Sequence, residues 1–319
     1  MRQVQDASCS GATRSEPCCR NEASLTKQIC SAPQVAGADI PLTNALPLTA
    51  PRVATSQMVV TVILSSYNYG RFLGQAIDSV LSQTHTHFEL IVVDDGSTDH
   101  SREVLAAQTD PRVAVLLQEN RGQACAWNRA YAQSTGELIF FLDSDDWWDP
   151  PKLATMVHAY AAAHRKPALM QHNLMAVRAD SRAPYRRTLA SGDCFAEMRA
   201  THQISFFVTS TGLCLPRWVC DKVFPVPEAL RISPDAFVTR VAMACGDVLS
   251  LGEPLGYLRL HGDNAGMTQS QAFHDDLRVR LIFPALNQRY KELGIDHQYG
   301  QTPTRPQGLL RRAWRKLLR

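Results

Sequence analysis

No stretch of the 319-residue chain comes near the roughly 20 consecutive apolar residues that a membrane-crossing helix requires; the longest apolar runs, such as Met58 to Leu64, have strand length. Charge of one sign is also scarce. Lys and Arg total 33 against 30 Asp and Glu, and the formal +3 is too small an excess to make nucleic acid a main partner. No G-x-G-x-x-G follows any apolar run, which argues against a dinucleotide site. No cysteine pair has C-x-x-C spacing, so neither a zinc site nor a thioredoxin-type centre is expected. Of the nine cysteines, Cys9, Cys18, Cys19 and Cys30 lie in the first tenth of the chain. Cys125, Cys194, Cys214, Cys220 and Cys245 stand singly in apolar or helical surroundings, where each reads as a small buried hydrophobe. The odd total, with no apolar segment of the signal-peptide kind, points to a reduced, cytoplasmic protein.

What is present begins at Met58. Residues 1–57 are rich in Ser, Ala, Pro, Thr and Gln and lack periodicity, so they cannot bury enough apolar surface to offset the entropy of ordering. They read as a disordered extension, with Met58 a candidate translation start. Thereafter strand and helix patterns alternate. Strands are expected at Met58 to Leu64, Phe88 to Val93, Arg112 to Leu117 and Leu138 to Leu142. Helices are expected at Phe72 to Gln83, Asp99 to Ala107, from Gly122 to Gln133, and Pro150 to His164. This alternation implies βαβ units and a mostly parallel α/β sheet, whose right-handed crossovers bring the strand-end loops to one edge. A strand at Ala168 to Val177 follows; residues 178–200 show no assignable pattern, and Ile204 to Leu215 reads as extended. Ser233-Pro234-Asp235 has the form of an N-cap, a first-turn proline and an early carboxylate, starting a helix to about Cys245. Late strands are expected at Val248 to Leu251 and Leu255 to Leu260, and a helix at Gln271 to Leu293.

The most informative stretch is the end of the fourth strand, where Asp143, Asp145 and Asp146 fall within four residues. Clustered carboxylates repel one another and are costly to desolvate without a counter-charge. One reading is a solvated acidic turn before a helix; the other is a site for a hard divalent cation, which prefers oxygen ligands and commonly brings a phosphate with it. Two sister loops at the same sheet edge, Ser65-Ser66-Tyr67-Asn68 and Asp94-Asp95-Gly96-Ser97-Thr98-Asp99, favour the second.

In this order and spacing the three loops resemble glycosyltransferase family 2, a GT-A fold. Glu119-Asn120-Arg121-Gly122 with Asn128 is similar to that family's N-x-G…N segment, and Ser134-Thr135-Gly136-Glu137 to its lead into the metal-binding strand. The resemblance covers residues 58–165 closely and 205–265 more loosely. It implies a Rossmann-like nucleotide-binding sheet flanked by helices and continuous with a smaller acceptor-binding part. The expected divisions are 58–165 for the nucleotide-sugar half, 166–265 for the acceptor and catalytic half, and 266–319 for a helical end with a basic tail. It further implies Mn²⁺ or Mg²⁺ as cofactor and a nucleoside diphosphate sugar, UDP-linked, as donor. The acceptor would be a hydroxyl of a glycan or lipid-linked molecule in cell-surface polysaccharide synthesis. Ser65, Tyr67, Asn68, Asp94, Asp95, Arg121, Asp143 and Ser144 are then candidates for donor binding, with Asp95 facing the nucleobase imino group and Tyr67 covering its ring. Asp94 has an alternative role as a cap for local amides. Asp145 or Asp146 would hold the metal, and His261, of the segment His261 to Asn264, would complete its shell or contact the diphosphate. Asp235 resembles the family's base, although Pro234 stands where many members have Glu; Asp193, Asp221 and Asp247 are the other candidates.

Arg217-Trp218 precedes Asp235 and lacks the glutamine of the processive synthases' Q-x-x-R-W element, so addition of one sugar is expected. Competing readings are a catalytically inactive nucleotide-binding scaffold and a sugar nucleotidyltransferase. The latter's glycine-rich phosphate loop is missing after the first strand, where Ser65 to Asn68 stand instead. Residues 305–319, basic with Leu and Trp at helical spacing, suit either packing on the domain or peripheral contact with an anionic membrane at its cytoplasmic face. Intact-mass measurement of the natively expressed protein is expected to give a chain starting at Met58; a mass that includes residues 1–57 would sink that expectation.

Overall fold

The computed structural model describes residues 55–300 apart from 180, 187, 202–206 and 265–268. The expectations for the first 54 residues and for the basic tail lie outside the described residues. The first elements are β1 (Val60–Ser66), α1 (Gly70–Leu81), β2 (Phe88–Asp94), α2 (Ser101–Ala106), β3 (Val113–Leu117), α3 (Gln123–Gln133) and β4 (Leu138–Asp143). They follow the expected alternation with shifts of one or two residues. β5 (Trp147–Trp148), α4 (Lys152–Ala162), β6 (Leu169–Arg178), β7 (Ser181–Pro184) and α5 (Cys194–Thr201) come next. A 3₁₀ turn (Ser210–Gly212) leads to β8 (Leu213–Pro216), α6 (Arg217–Val223), α7 (Asp235–Met243), β9 (Val248–Arg259), α8 (Gln271–Leu277), a π turn (Arg278–Ile282) and α9 (Phe283–Glu292).

The strands form one nine-stranded sheet in the order β3-β2-β1-β4-β8-β6-β9-β5, with β7 paired to β6. β3, β2, β1 and β4 are mutually parallel; β8 is antiparallel to both β4 and β6. The register is what builds the site. Ser65 sits opposite Val93 on one side and Asp143 on the other, and Ser66 opposite Asp94, so the three singled-out loops emerge side by side. Both faces of this sheet are covered, which is why its strands are continuous apolar runs rather than alternating ones. Val62, Leu64, Leu90, Val92, Phe140 and Leu142 pack with Leu73, Ala76, Ile77 and Val80 of α1 and with Leu153, Met156 and Val157 of α4. Ile63, Ile91, Val93, Ile139 and Phe141 face α3 on the other side, where Trp127 lies 4.5 Å from the Phe141 ring centre.

Five expectations are corrected. Residues 178–200, without a readable pattern, contain β7 and α5. The extended run to Leu215 is broken by the 3₁₀ turn at Ser210–Gly212, and the two late strands are one strand, β9, with register shifts against β6 near His172 and Asn173. The last helix carries a π turn immediately before Pro284, whose missing N–H cannot continue the regular ladder. At α7 the helix starts one residue later than the capping pattern suggests. Ser233 has φ +55°, Pro234 is the cap residue and Asp235 opens the helix.

The two ends of the molecule are tied by polar contacts as well as by the sheet. The Asn128 side chain donates to the Val226 carbonyl at 2.8 Å and accepts from its N–H at 2.7 Å, so the segment after α6 is held to α3 by a paired bond. Gly122, at φ +92°, lies flush against Arg231; a Cβ there would come within 2.6 Å of the Arg231 Cα. Val226 is buried. Asn128→Ala, which strands two buried main-chain groups, is expected to cost about 2 kcal/mol of unfolding free energy. Urea denaturation checks this; a loss within error of zero would count against the tie.

Candidate active site

The carboxyl edge of the sheet opens into a cleft of about 1360 Å³. Its first wall is made by two loops that cap each other. Asn68, in the left-handed conformation at φ +59° that asparagine tolerates, accepts from the Thr98 N–H at 2.7 Å, while its own N–H donates to Ser97 Oγ at 2.9 Å. Asp99 accepts from the Gly70 N–H at the start of α1 and from the Ser101 N–H at the start of α2, at 2.9 and 3.0 Å. Burial alone would push its carboxyl up, but the bonds from Ser101 and Gly70 hold it below the usual carboxylate range.

The adjacent pair Asp94 and Asp95 divides its labour. Asp94 is fully buried behind the cleft, accepting from the Ser97 N–H and pairing with Arg102 at 3.3 Å. Asp95 lines the cleft and organises the 118–122 loop. Its Oδ1 accepts from Gln118 Nε2 and the Arg121 N–H at 2.7 and 2.8 Å, and its Oδ2 from the Gly122 N–H at 2.7 Å. The Arg121 guanidinium turns away from the cleft to Glu228, 2.5 Å distant.

At the end of β4 each carboxylate has a different environment. Asp143 accepts from Gln123 Nε2 at 2.9 Å through Oδ1 and from Ser210 Oγ through Oδ2. Asp146 is buried with both oxygens used, one by Thr211 Oγ1 at 2.5 Å and one by the Arg259 N–H at 2.8 Å. Asp145 uses only one oxygen. Its Oδ2 meets His261 Nε2 at 3.0 Å and Asn264 Nδ2 at 3.1 Å, whereas Oδ1 has no hydrogen bond among the described residues. His261 itself does not line the cleft; its ring is seated against Tyr69 and Phe72, with centroids 5.6 and 4.8 Å away. Arg259 clamps the same turn, donating to the Asp145 carbonyl at 2.8 Å while its guanidinium lies over the Phe72 and Trp147 rings. Beneath it the fully buried Lys152 donates to the Thr211 carbonyl at 2.9 Å.

Burial pushes the Asp143 carboxyl up to about 7, helped by the charges of Asp145 and Asp235 and opposed by the bonds from Ser210 and Gln123. Asp146 is also raised well above its ordinary value, by burial first and then by Asp145 and Asp143. Across the cleft, Asp235 is raised too, again chiefly by burial, against the nearby Ala236 N–H and Arg240. Among the described residues no three His, Cys, Asp or Glu groups form a self-contained metal cage. The arrangement suits instead an open site, in which a divalent cation shares its shell between one protein carboxylate and substrate phosphates.

The cleft therefore brings together nine of the residues singled out in the sequence: Ser65, Tyr67, Asn68, Asp95, Asp143, Ser144, Asp145, Asp146 and Asp235. Asp94, Arg121 and His261 stand outside its lining. Ser210, Thr211, Arg259 and Arg231 escaped the sequence reading, since no motif marks them and each reaches the site from a distant segment. Two further hydroxyls in the lining, Ser66 Oγ and Thr209 Oγ1, are buried without a hydrogen-bond partner among the described residues.

A family model described as glycosyl transferase family 2 matches residues 61–223. An uncharacterized glycosyltransferase of Nostoc sp. (strain PCC 7120) is 36% identical over 225 residues, 67% of this chain and 69% of that protein. A UDP-Glc:alpha-D-GlcNAc-diphosphoundecaprenol beta-1,3-glucosyltransferase of Escherichia coli, WfgD, is 39% identical over 100 residues, 31% of this chain and 40% of that protein. Among solved structures, S. aureus TarS 1-349 in complex with UDP-GlcNAc matches with a TM-score of 0.59 at 20% identity, over 76% of this chain and 68% of that one.

An acid whose folded-state pKa lies above its unfolded value stabilises the fold while protonated, fully so below about pH 4. That contribution is lost as the pH rises through about 7 for Asp143. In metal-free buffer, the melting temperature of wild type relative to Asp143→Asn is therefore expected to fall between about pH 5 and pH 8. Parallel melting curves for the two proteins across that range would remove the strained carboxylate from the account.

Proposed function

The chain belongs to glycosyl transferase family 2, and from that premise we propose that it is a metal-dependent, inverting enzyme that adds one sugar at a time. It is a glycosyltransferase with the GT-A fold that its sequence led us to expect. The donor is a nucleoside diphosphate sugar, UDP-linked, and the acceptor a hydroxyl of a glycan or lipid-linked molecule in cell-surface polysaccharide synthesis. The donor and acceptor named for the E. coli relative, and the UDP-GlcNAc bound by the S. aureus neighbour, support this choice. Among the described residues no helix is long and apolar enough to cross a membrane.

The observation that carries the reading is the charge of the cleft. Its described lining holds eight aspartates (Asp95, Asp99, Asp143, Asp145, Asp146, Asp235, Asp263 and Asp276) against three arginines and no lysine. A diphosphate entering such a site is repelled unless a cation accompanies it. Asp145, with one oxygen open and the other held by His261 and Asn264, is the residue we assign to Mn²⁺ or Mg²⁺. Asp146, buried with each oxygen already accepting one internal hydrogen bond, is read as part of the turn's internal frame. His261, behind Asp145, is read as holding that carboxylate in place. The bound cation would offset the negative charge that develops on the leaving diphosphate.

The remaining steps belong to the chain's own side chains. Asp95 Oδ2, which has one internal bond, retains a lone pair for a nucleobase imino N–H, and the exposed Tyr67 ring can cover the base. The hydroxyls of Ser66 and Thr209, buried and unpaired, are available to ribose, phosphate or sugar oxygens. Asp235 takes the proton of the acceptor hydroxyl as that oxygen attacks the anomeric carbon; the bond from this carbon to the phosphate oxygen breaks, and the nucleoside diphosphate departs. A base works best when its pKa approaches the working pH, and the burial that raises Asp235 moves it that way. Residues 58–165 thus serve the donor, and residues 166–265 the acceptor and base.

A thermal-shift screen of nucleoside diphosphate sugars with Mn²⁺ is expected to show stabilisation by a UDP sugar that disappears in Asp145→Ala. With the donor so found, Asp235→Asn is expected to lower kcat by about 10²–10⁴ while the donor still binds. Turnover by Asp235→Asn at the wild-type rate would exclude Asp235 as the base.

A further inference from the structure

The three cleft arginines are not equivalent. Arg71 is paired with Asp263 at 2.7 Å and Arg280 with Asp276 at 2.6 Å. Arg231 meets no carboxylate among the described residues. Its Nη2 donates only to neutral oxygens, the Asn120 carbonyl at 3.3 Å and the Asn120 side-chain Oδ1. Although exposed, it is tethered at its backbone and stem. Its stem lies against Gly122, and its carbonyl accepts from the Gln123 N–H at 2.9 Å. The guanidinium is thus held at the loop 120–122, which Asp95 organises through the Arg121 and Gly122 N–H groups, and both residues line the same cleft. The arginine within that loop, Arg121, is withdrawn to Glu228.

We infer that Arg231, supplied by the second half of the chain, is the cation that reads the nucleobase of the donor, donating to the C4 carbonyl oxygen of uracil beside the imino N–H that Asp95 accepts. The inference rests on the nucleotide-sugar reading above and deepens it by naming the base edge recognised. A uracil presents carbonyl acceptors on either side of an imino donor, which complements a carboxylate flanked by a guanidinium. A cytosine presents an acceptor to the carboxylate and an amino group in place of one carbonyl, so it meets repulsion at Asp95 and at Arg231. Arg231 also stands four residues before Asp235, so the segment that closes on the base edge is the one that carries the proposed catalytic base.

The test is titration of the full chain with UDP and with CDP in the presence of Mg²⁺, for wild type, Arg231→Ala and Arg231→Gln, with melting temperatures recorded for each. Wild type is expected to prefer UDP. Both variants are expected to lose about tenfold or more in UDP affinity while CDP affinity stays within about twofold, so that the preference collapses. Once a donor is known, the same variants should raise its KM and leave kcat nearly unchanged, the pattern of a lost ground-state contact. Unchanged UDP affinity in a folded variant overturns the inference, and so does an equal loss for UDP and CDP, which would put the guanidinium on the diphosphate or on the C2 carbonyl that both bases share. If wild type binds no nucleoside diphosphate at all, the nucleotide-sugar reading itself fails, a result distinct from either.

Discussion

Everything at the functional end of this protein depends on keeping three carboxylates together at the tip of one strand. Asp143, Asp145 and Asp146 cannot be crowded into a cleft floor at no cost, because each loses water and gains like-charged neighbours. The chain meets that cost with donors from elsewhere: Ser210 and Thr211 from the 3₁₀ turn, the Arg259 N–H from β9, and His261 and Asn264 from the turn beyond it. These contacts are unequal. They engage both oxygens of Asp146, leave Asp143 protonated more readily than an ordinary aspartate, and spare one oxygen of Asp145. Chemically similar residues within four positions are thereby separated into different roles by their hydrogen-bond partners.

The same logic explains why the two halves share one sheet. β8 adds to β4 in antiparallel fashion, which brings the turn before it to the carboxyl edge where Asp143 ends. The paired bond between Asn128 and Val226, and the close seat of Arg231 on Gly122, fix the segment that leads to Asp235 against the nucleotide side. A proposed base on one half and a proposed donor site on the other are related by covalent and hydrogen-bonded structure rather than by a flexible hinge. The family assignment then has a physical counterpart: a parallel run of strands, an acidic edge, and an antiparallel extension that completes that edge.

Much of this was legible because periodicity and strand-end chemistry are local. The strands β1 to β4 and the helices between them follow from apolar spacing, and the loops beginning at Ser65, Asp94 and Asp143 follow from where those runs stop. Asp94 could also be recognised locally as a cap, since its main contact lies three residues away at Ser97. Other elements were not legible. β7 and α5 lie in a polar stretch whose structure comes from pairing with β6 and packing under α7, not from its own pattern. Arg121 was singled out by its loop motif and Arg231 by nothing local, yet Arg121 is drawn to Glu228 while Arg231 lines the cleft.

By itself, then, the sequence determined the α/β alternation, the edge at which ligands would gather and the acidic character of that edge, because each is set by residues within a few positions of one another. Tertiary structure alone decided which carboxylate keeps a free oxygen, which arginine faces the cleft, and that His261 stands behind Asp145 rather than in the lining. Those outcomes depend on partners 65 to 119 residues away in the chain, such as Thr211 for Asp146 and Asn264 for Asp145. A hydrogen bond is selected by distance in space, and the folding of the second half onto the first is what brings those partners within reach.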